Sequence, residues 1–435
     1  MGVLQAMALR IGFAYNEKPA EEEEPPSIAS HDRFAEWDDP TTIAAVAHAL
    51  GLAGTVIPLE ADEDFPDRLR DARPDIVFNI AEGLHGPNRE AHVPAICEFY
   101  GIPYTGSDPL TLALGLDKER TKEVLAARGI RTPRWTVAGG SAGSLNGRRL
   151  RFPVIVKPLF EGSSKGIDSG SLRWDRKSTL ERVRWVVEGY EQPALVEEFL
   201  PGREFTVAVL GNGPGARVLP PVEIRFDSLP EGAPPLYGWE AKWLWDTPEA
   251  PLSIFECPAP LDAGLLAAIE NATLGAFHAL GCRDWARIDL RLDAIGEPHV
   301  LEVNPLPGIL PDPRQNSCFP KAARAAGLGY DEMILAVLDA GLRRLGMGGV
   351  GAAAGGVGDS AASGATSAEA ERTAPWQGQI APAAAGSLAS CPGPIAPAAA
   401  GSVAPCPGPI APAAAGSVAP CPGPIAPAAA GSVAP

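Results

Sequence analysis

With 435 residues and 45.2 kDa, the chain is long enough for two or three domains, and an apolar share of 46% supplies a sizeable core. A net charge of −17 argues against a nucleic-acid partner, because phosphate binding needs a basic face. No apolar run of about 18 residues predicts a membrane span, and the start, MGVLQAMALRIGFAY, lacks the basic and long apolar regions of a secretory leader.

Leu9 to Tyr15 reads as a first strand, followed by an acidic loop from Glu21 to Glu24 before Pro25 and Pro26. Thr41 to Leu52 sets Ile43, Val46, Ala47 and Leu50 at helical spacing behind the turn Asp39-Pro40-Thr41. Asp75 to Ile80 is a short buried strand, Asn88 to Tyr100 a helix ended by Gly101, and Asp117 to Arg128 a charged helix stopped by Gly129. Pro153 to Lys157 is a strand that leads into the loop PLFEGSSKG. Ala194 to Phe199 and Glu204 to Leu210 are strands joined by LPGR. Asp262 caps a long helix to Leu280. Ala286 to Leu292 and His299 to Asn304 pair through the turn Asp293-Ala294-Ile295-Gly296. The strands from 194 onward therefore read as mostly antiparallel, and the class is α/β or α+β.

From Gly346 the grammar changes to Ala, Gly and Pro, with Asp359, Glu369, Glu371 and Arg372 as its charges. A 15-residue unit, PIAPAAAGSVAPCPG, recurs with Ile380, Ile395, Ile410 and Ile425 in register, together with Cys391, Cys406 and Cys421. Proline removes a donor and fixes φ, and one Ile with one Val or Leu per unit cannot offset the ordering entropy. The tail reads as disordered and partly polyproline II, with a partner-binding array or thiol tether as the functional alternative. Cys97, Cys257, Cys282 and Cys318 are scattered without metal spacing and read as buried, reduced thiols of a cytoplasmic protein.

The chemistry gathers in three places. Glu302 and Asn304 alternate on one strand and so share a face, where a neighbouring strand can bring Asp289 with Arg287 beside them. Two carboxylates and an amide oxygen suit Mg²⁺, which keeps waters or phosphate oxygens as its other ligands. The bland alternative is a cross-strand charge pair on a solvated face. The loop Glu161-Gly162-Ser163-Ser164-Lys165-Gly166 has the glycines and hydroxyls that let a backbone approach an anion. Lys157, ending a buried strand, is a candidate phosphate ligand. Such a loop can equally be a flexible turn. Glu197, Glu198 and Glu204 crowd a strand–turn–strand beside Val196, Phe199 and Leu200, which could flank a flat base; a charged edge strand is the alternative.

The series LHG, IPYTGS, LDKERTK, FPVIVKPLFEGSSKGI, LVEEFLPGREFTVAVLG, EAKWL, RIDLRLD and LEVNPLPG resembles the D-alanine–D-alanine ligases of the ATP-grasp superfamily, over roughly residues 8 to 342. The resemblance implies an α+β, three-domain ATP-grasp fold. An N-terminal α/β substrate domain would span 1–117, the small ATP-grasp subdomain 118–204, the C-terminal subdomain with the metal site 205–345, and the tail 346–435. It implies ATP and two Mg²⁺ ions, with a carboxylate phosphorylated by ATP and then attacked by an amine. Lys118, Lys157 and Lys242 would contact phosphates; Glu197, Glu198, Leu200 and Leu301 would hold adenine, and Glu204 ribose. Asp289, Glu302 and Asn304 would hold the metal ions. Ser163 and Ser164 would sit on a closing loop, and Arg287 and Gly308 would stabilise an oxyanion. The implied partners are small amino acids, with neither nucleic acid nor membrane; such enzymes are commonly dimers, so a homodimer is part of the expectation.

Three departures fall on the amino-acid pockets. The first strand runs into Asn16-Glu17-Lys18-Pro19 without the family's Ser-x-Glu signature. The usual Lys-Tyr pair is Lys242-Trp243. Pro311-Asp312-Pro313-Arg314 occupies the stretch where a serine would grip the second substrate's carboxylate. His85, in LHG, would lie near the first substrate or be structural. The expectation is a dipeptide-forming ligase; the alternatives are a ligase for another amino acid or peptide acceptor, and a nucleotide-binding module without turnover.

Overall fold

The computed structural model describes residues 8–19, 34–139, 149–245 and 252–350. The acidic run Glu21 to Glu24 and the repeat tail lie outside the described residues.

The first sheet is parallel, with β1 (Leu9–Tyr15) between β2 (Gly54–Glu60) and β3 (Ile76–Asn79). Parallel neighbours need crossovers, which α1 (Pro40–Gly51) and α2 (Phe65–Ala72) supply. α1 starts where the Asp39 carboxylate accepts from Thr42 N, with Pro40 in the first turn. Both faces of the sheet are covered. Ile11 and Phe13 enter one core, while Ala14 and Val77 enter another with α2 and α3 (His92–Tyr100). The helix expected from Asn88 begins as a tight turn, Arg89–Ala91, and ends at Gly101 with φ +66°. α4 (Pro109–Leu116) follows, and Asp117 then caps α5 (Lys118–Ala127).

Two antiparallel sheets come next. The smaller contains β4 (Trp135–Ala138), β5 (Val154–Pro158), β6 (Leu172–Arg173) and β7 (Ala194–Glu198), ordered β4-β7-β5-β6, with α6 (Arg176–Tyr190) against it. β7 is an interior strand, so its glutamates do not mark an edge. The larger contains β8 (Glu204–Leu210), β9 (Arg217–Val218), β10 (Val222–Ile224), β11 (Phe255–Glu256), β12 (Trp285–Leu292) and β13 (Pro298–Asn304). Its order is β11-β10-β8-β12-β13, with β9 also on β8. α7 (Ala263–Leu280) has a mean hydropathy of 1.2, enough by length and composition to cross a membrane. Its Ile269, Ala276, Phe277 and Leu280 are instead buried with the inner residues of β8, β12 and β13. α8 (Cys318–Ala325) and α9 (Tyr330–Arg344) complete the described chain. α9 packs on α1, so Ile334, Val337 and Leu338 share a core with Ile11 and Phe13. The buried Asp284 adds a polar tie, accepting from Gly106 N at 2.8 Å and from Arg344 Nε at 2.9 Å.

Candidate active site

The β12–β13 register sets Asp289 opposite Glu302 and Arg287 opposite Asn304, so all four share one face. Arg287 donates to both Asp289 oxygens at 3.1 and 3.0 Å and stands 3.8 Å from Glu302. Asn304 Nδ2 donates to Asp289 at 3.2 Å. Burial resists ionisation of Glu302, but Lys118, Lys157 and Arg287 outweigh it and hold its carboxyl at about 2. Asp289 is pushed upward by burial, and the charge of Glu302 adds to this against the pull of Arg287. Two mutually repelling carboxylates and an amide oxygen form a hard-oxygen set whose repulsion a divalent cation would relieve. Among the described residues no three His, Cys, Asp or Glu side chains are grouped so as to hold a metal ion, so the amide of Asn304 is needed to complete the donors.

Lys118 opens α5, with Nζ 3.7 Å from Glu302 and a hydrogen bond to the carbonyl of Glu161. Lys157, on β5, pairs with Glu197 at 2.7 Å, and Lys122 pairs with the other oxygen of the same carboxylate at 2.6 Å. Glu197 is therefore the counter-ion of two buried lysines, rather than a side chain directed at a base. Lys122 escaped the sequence reading although it stands in LDKERTK. Its signal was position: one turn after Lys118, on the helix face turned inward. The carboxylate of Glu198 takes Arg151 at 3.2 Å, and Glu204 takes Arg291 at 2.6 Å; both residues line the cleft. Ile155, from the smaller antiparallel sheet, and Leu301, from the larger, line the cleft together with Phe199 and Leu200.

Ser163 and Ser164 sit at φ 47° and 62°, and Ser164 Oγ donates to Tyr237 O at 3.0 Å. Lys242 lies on the helical turn Glu240–Trp245. Burial, then the nearby Arg287, lower its pKa to about 8. The side chain of Trp243 lies outside the described residues. Since the Lys242 cation is lost as pH rises through about 8, kcat/KM for ATP should fall on the alkaline side of that value. A pH profile of Lys242→Met should lack that limb, and an identical limb in the variant would assign it to another group.

The structure brings every residue named from the sequence as catalytic, cofactor-binding or metal-binding to one cleft, including Gly308. Two further residues bear on the amino-acid pockets. His85 is exposed and is not among the residues that line the cleft. A serine lines the cleft close to that stretch: Ser317, just before α8, accepts from Leu310 N at 3.1 Å and donates to Gly308 O at 3.2 Å. Ser317 stands three residues after Pro311-Asp312-Pro313-Arg314. The cleft also holds acids that no motif pointed to: Glu36, Asp38, Glu82 and Glu90. Burial, then Asp39, push Asp38 up to about 7, and burial is also the main cause that brings Glu90 to about 7. Asn16, which follows the first strand, is used structurally, accepting from Gly83 N at 2.8 Å and donating to Ala61 O at 2.9 Å.

Two facing antiparallel sheets with a cleft of lysines, acids and an apolar slot between them define an ATP-grasp ligase. The family model for the D-ala D-ala ligase C-terminus matches residues 128–339. An uncharacterized protein, y4sG, of Sinorhizobium fredii is 40% identical over 269 residues, which is 62% of this chain and 75% of that protein. The D-alanine–D-alanine ligase of Stutzerimonas stutzeri is 36% identical over 299 residues, 68% of this chain and 87% of the relative. The crystal structure of D-alanine–D-alanine ligase from Bacillus anthracis, 26% identical, superposes with a TM-score of 0.57 over 78% of this chain and 99% of that one. The chain belongs to the D-alanine–D-alanine ligase family and is an ATP-dependent ligase of amino-acid substrates.

Proposed function

We propose that the protein joins two D-alanine molecules into the dipeptide used in peptidoglycan precursors, working as a cytoplasmic enzyme and a homodimer. The observation that carries the reading is the convergence of Lys118, Lys157, Lys242 and Arg287 on the cleft that also holds Asp289, Glu302 and Asn304. The slot between Ile155, Leu200 and Leu301 takes the adenine, with main-chain groups of Glu198 and Leu200 at its edge. Glu204 is placed for ribose. Lys118 and Lys157 hold the phosphates, and their charge is kept in place by Glu302 and Glu197. Asp289, Glu302 and Asn304 would hold Mg²⁺, which when bound neutralises charge on the transferring phosphoryl group. The donor's carboxylate takes the phosphoryl group from ATP, ADP leaves, and the acceptor's amine then displaces phosphate from the acyl carbon. The donor's ammonium sits among Asp38, Glu82 and Glu90, whose ionisation burial resists and a cation there would favour. Ser317 and the N-terminal end of α8 receive the acceptor's carboxylate. Arg287 and the Gly308 N–H face the oxyanion. The presence of Ser317 removes one of the three reasons for expecting an unusual acceptor.

The test is ADP release with ATP, Mg²⁺ and single or paired D- and L-amino acids, with products weighed by mass spectrometry. The expected result is one dipeptide of D-alanine per ADP. Silence with D-alanine and turnover with another pair would overturn the substrate assignment and name the true one.

A further inference from the structure

We propose that Arg291 is a positioning residue for the ribose end of the nucleotide: it holds one oxygen of the Glu204 carboxylate, leaves the other for the ribose hydroxyls, and so makes the enzyme select a ribonucleotide. The inference rests on the ribose role given to Glu204 above; what is new is the part played by the arginine.

Arg291 is the second arginine of RIDLRLD, two residues beyond Asp289. It lies on β12 directly opposite Glu204, the first residue of β8. Facing positions on neighbouring antiparallel strands bring side chains of one face into contact. Arg291 Nη1 donates to Glu204 Oε2 at 2.6 Å and to Pro235 O at 3.0 Å. Its guanidinium carbon stands 4.4 Å from the centre of the Phe199 ring and 5.1 Å from that of Phe226. At such distances a cation is held by the face of a ring. Three segments therefore fix this one group: Phe199 after β7, Phe226 after β10, and the chain at Pro235. The Arg291 side chain is only 4% exposed, so it is fixed out of water.

Stability alone does not require a charge pair here. A buried ion pair can be replaced by an apolar pair of similar size with little or no loss of stability. What the charges provide is an acceptor in a defined state. Burial resists ionisation of Glu204, and Asp289 adds to that; Arg291 is the largest influence on the other side, ahead of Lys157. Arg291 takes Oε2 alone. Among the described residues Oε1 accepts no hydrogen bond, and Glu204 lines the cleft. Hydrogen bonds to an ionised acceptor are roughly twice as strong as those between neutral groups. A ribose hydroxyl thus meets a carboxylate that is already charged and already fixed, with little side-chain freedom left to lose on binding. A sugar without hydroxyls leaves that oxygen unpaired, and a site built for hydrogen bonds discriminates strongly against such an analogue.

Titration calorimetry with ATP and with dideoxy-ATP, which has neither ribose hydroxyl, reads the selection without turnover. Wild type should bind ATP at least about thirtyfold more tightly than the analogue. In Arg291→Met the Kd for ATP should rise about tenfold or more, while that for dideoxy-ATP moves less than about threefold. Arg291→Lys, which restores the charge, should recover at least about half of the lost preference on a logarithmic scale. Should Arg291→Met fail to fold, Arg291→Gln, which keeps a donor for Glu204 but no charge, decides. A purely structural arginine would weaken both nucleotides together; that result, or an unchanged preference in a folded variant, overturns the proposal. Glu204→Gln separates the arginine's role from the ribose reading beneath it. If Glu204→Gln loses the preference and the Arg291 variants keep it, only the arginine's role falls. If the preference also persists in Glu204→Gln, the ribose role of Glu204 falls with it.

Discussion

Glu302→Gln should lower kcat by at least about 10³-fold while leaving the melting temperature within a few degrees of wild type. Glu302 faces Asp289 across the hairpin and has three cations around it: Lys118 at 3.7 Å, Arg287 at 3.8 Å, and Lys157. The amide occupies the same space but offers no charge to a cation and none to the lysines beside it. Stability changes little because two effects oppose each other. The lysines lose a partner, while Asp289 loses a like-charged neighbour that raises its pKa. Steady-state kinetics over a range of Mg²⁺, with a thermal melt of the same sample, reads both. Full turnover with normal Mg²⁺ dependence would remove Glu302 from the metal site.

The largest effect on stability should come from Glu197→Ala, at about 3–5 kcal/mol by urea unfolding. Its carboxylate bridges Lys122 and Lys157, and the side chain of Lys122 has no solvent exposure. Removing the anion leaves two ammonium groups buried beside one another, which is far costlier than the pair is favourable. Glu197→Ala combined with Lys122→Met should recover part of the loss, since one orphaned charge is gone. A loss below about 1 kcal/mol in the single variant would mean that water reaches the lysines.

The parts of the fold that were legible in the sequence are those with strong local grammar. Asp262, Asp117 and the Asp39-Pro40 turn announced helix starts, and Asp293 to Gly296 announced the hairpin that carries Arg287, Asp289, Glu302 and Asn304. What escaped was set by tertiary context. β4 and β11 are short and take their conformation from neighbouring strands. α9 has a clear apolar stripe, but only the fold shows that this stripe lies on α1. In the site, residue types were legible and pairings were not: nothing local in the sequence paired Glu197 with Lys122 and Lys157, or Glu204 with Arg291. Ser317 lies outside every motif. Glu36 was hidden because it reaches the cleft from a segment with no local signature.

The closure of the last helix onto the first strand also sets a timetable for synthesis. Ile11 and Phe13 leave the ribosome about 320 residues before Ile334, Val337 and Leu338, which cover them. On that face of the N-terminal sheet α1 is the only early cover, and the cover stays incomplete until almost the whole catalytic unit has been made. During that interval the nascent chain is a client for chaperones and prone to aggregation. A translation product that stops short of α9 would carry the entire cleft yet expose the apolar surface that α1 and the first sheet present to α9, so quality control can recognise an unfinished enzyme by a surface far from its chemistry.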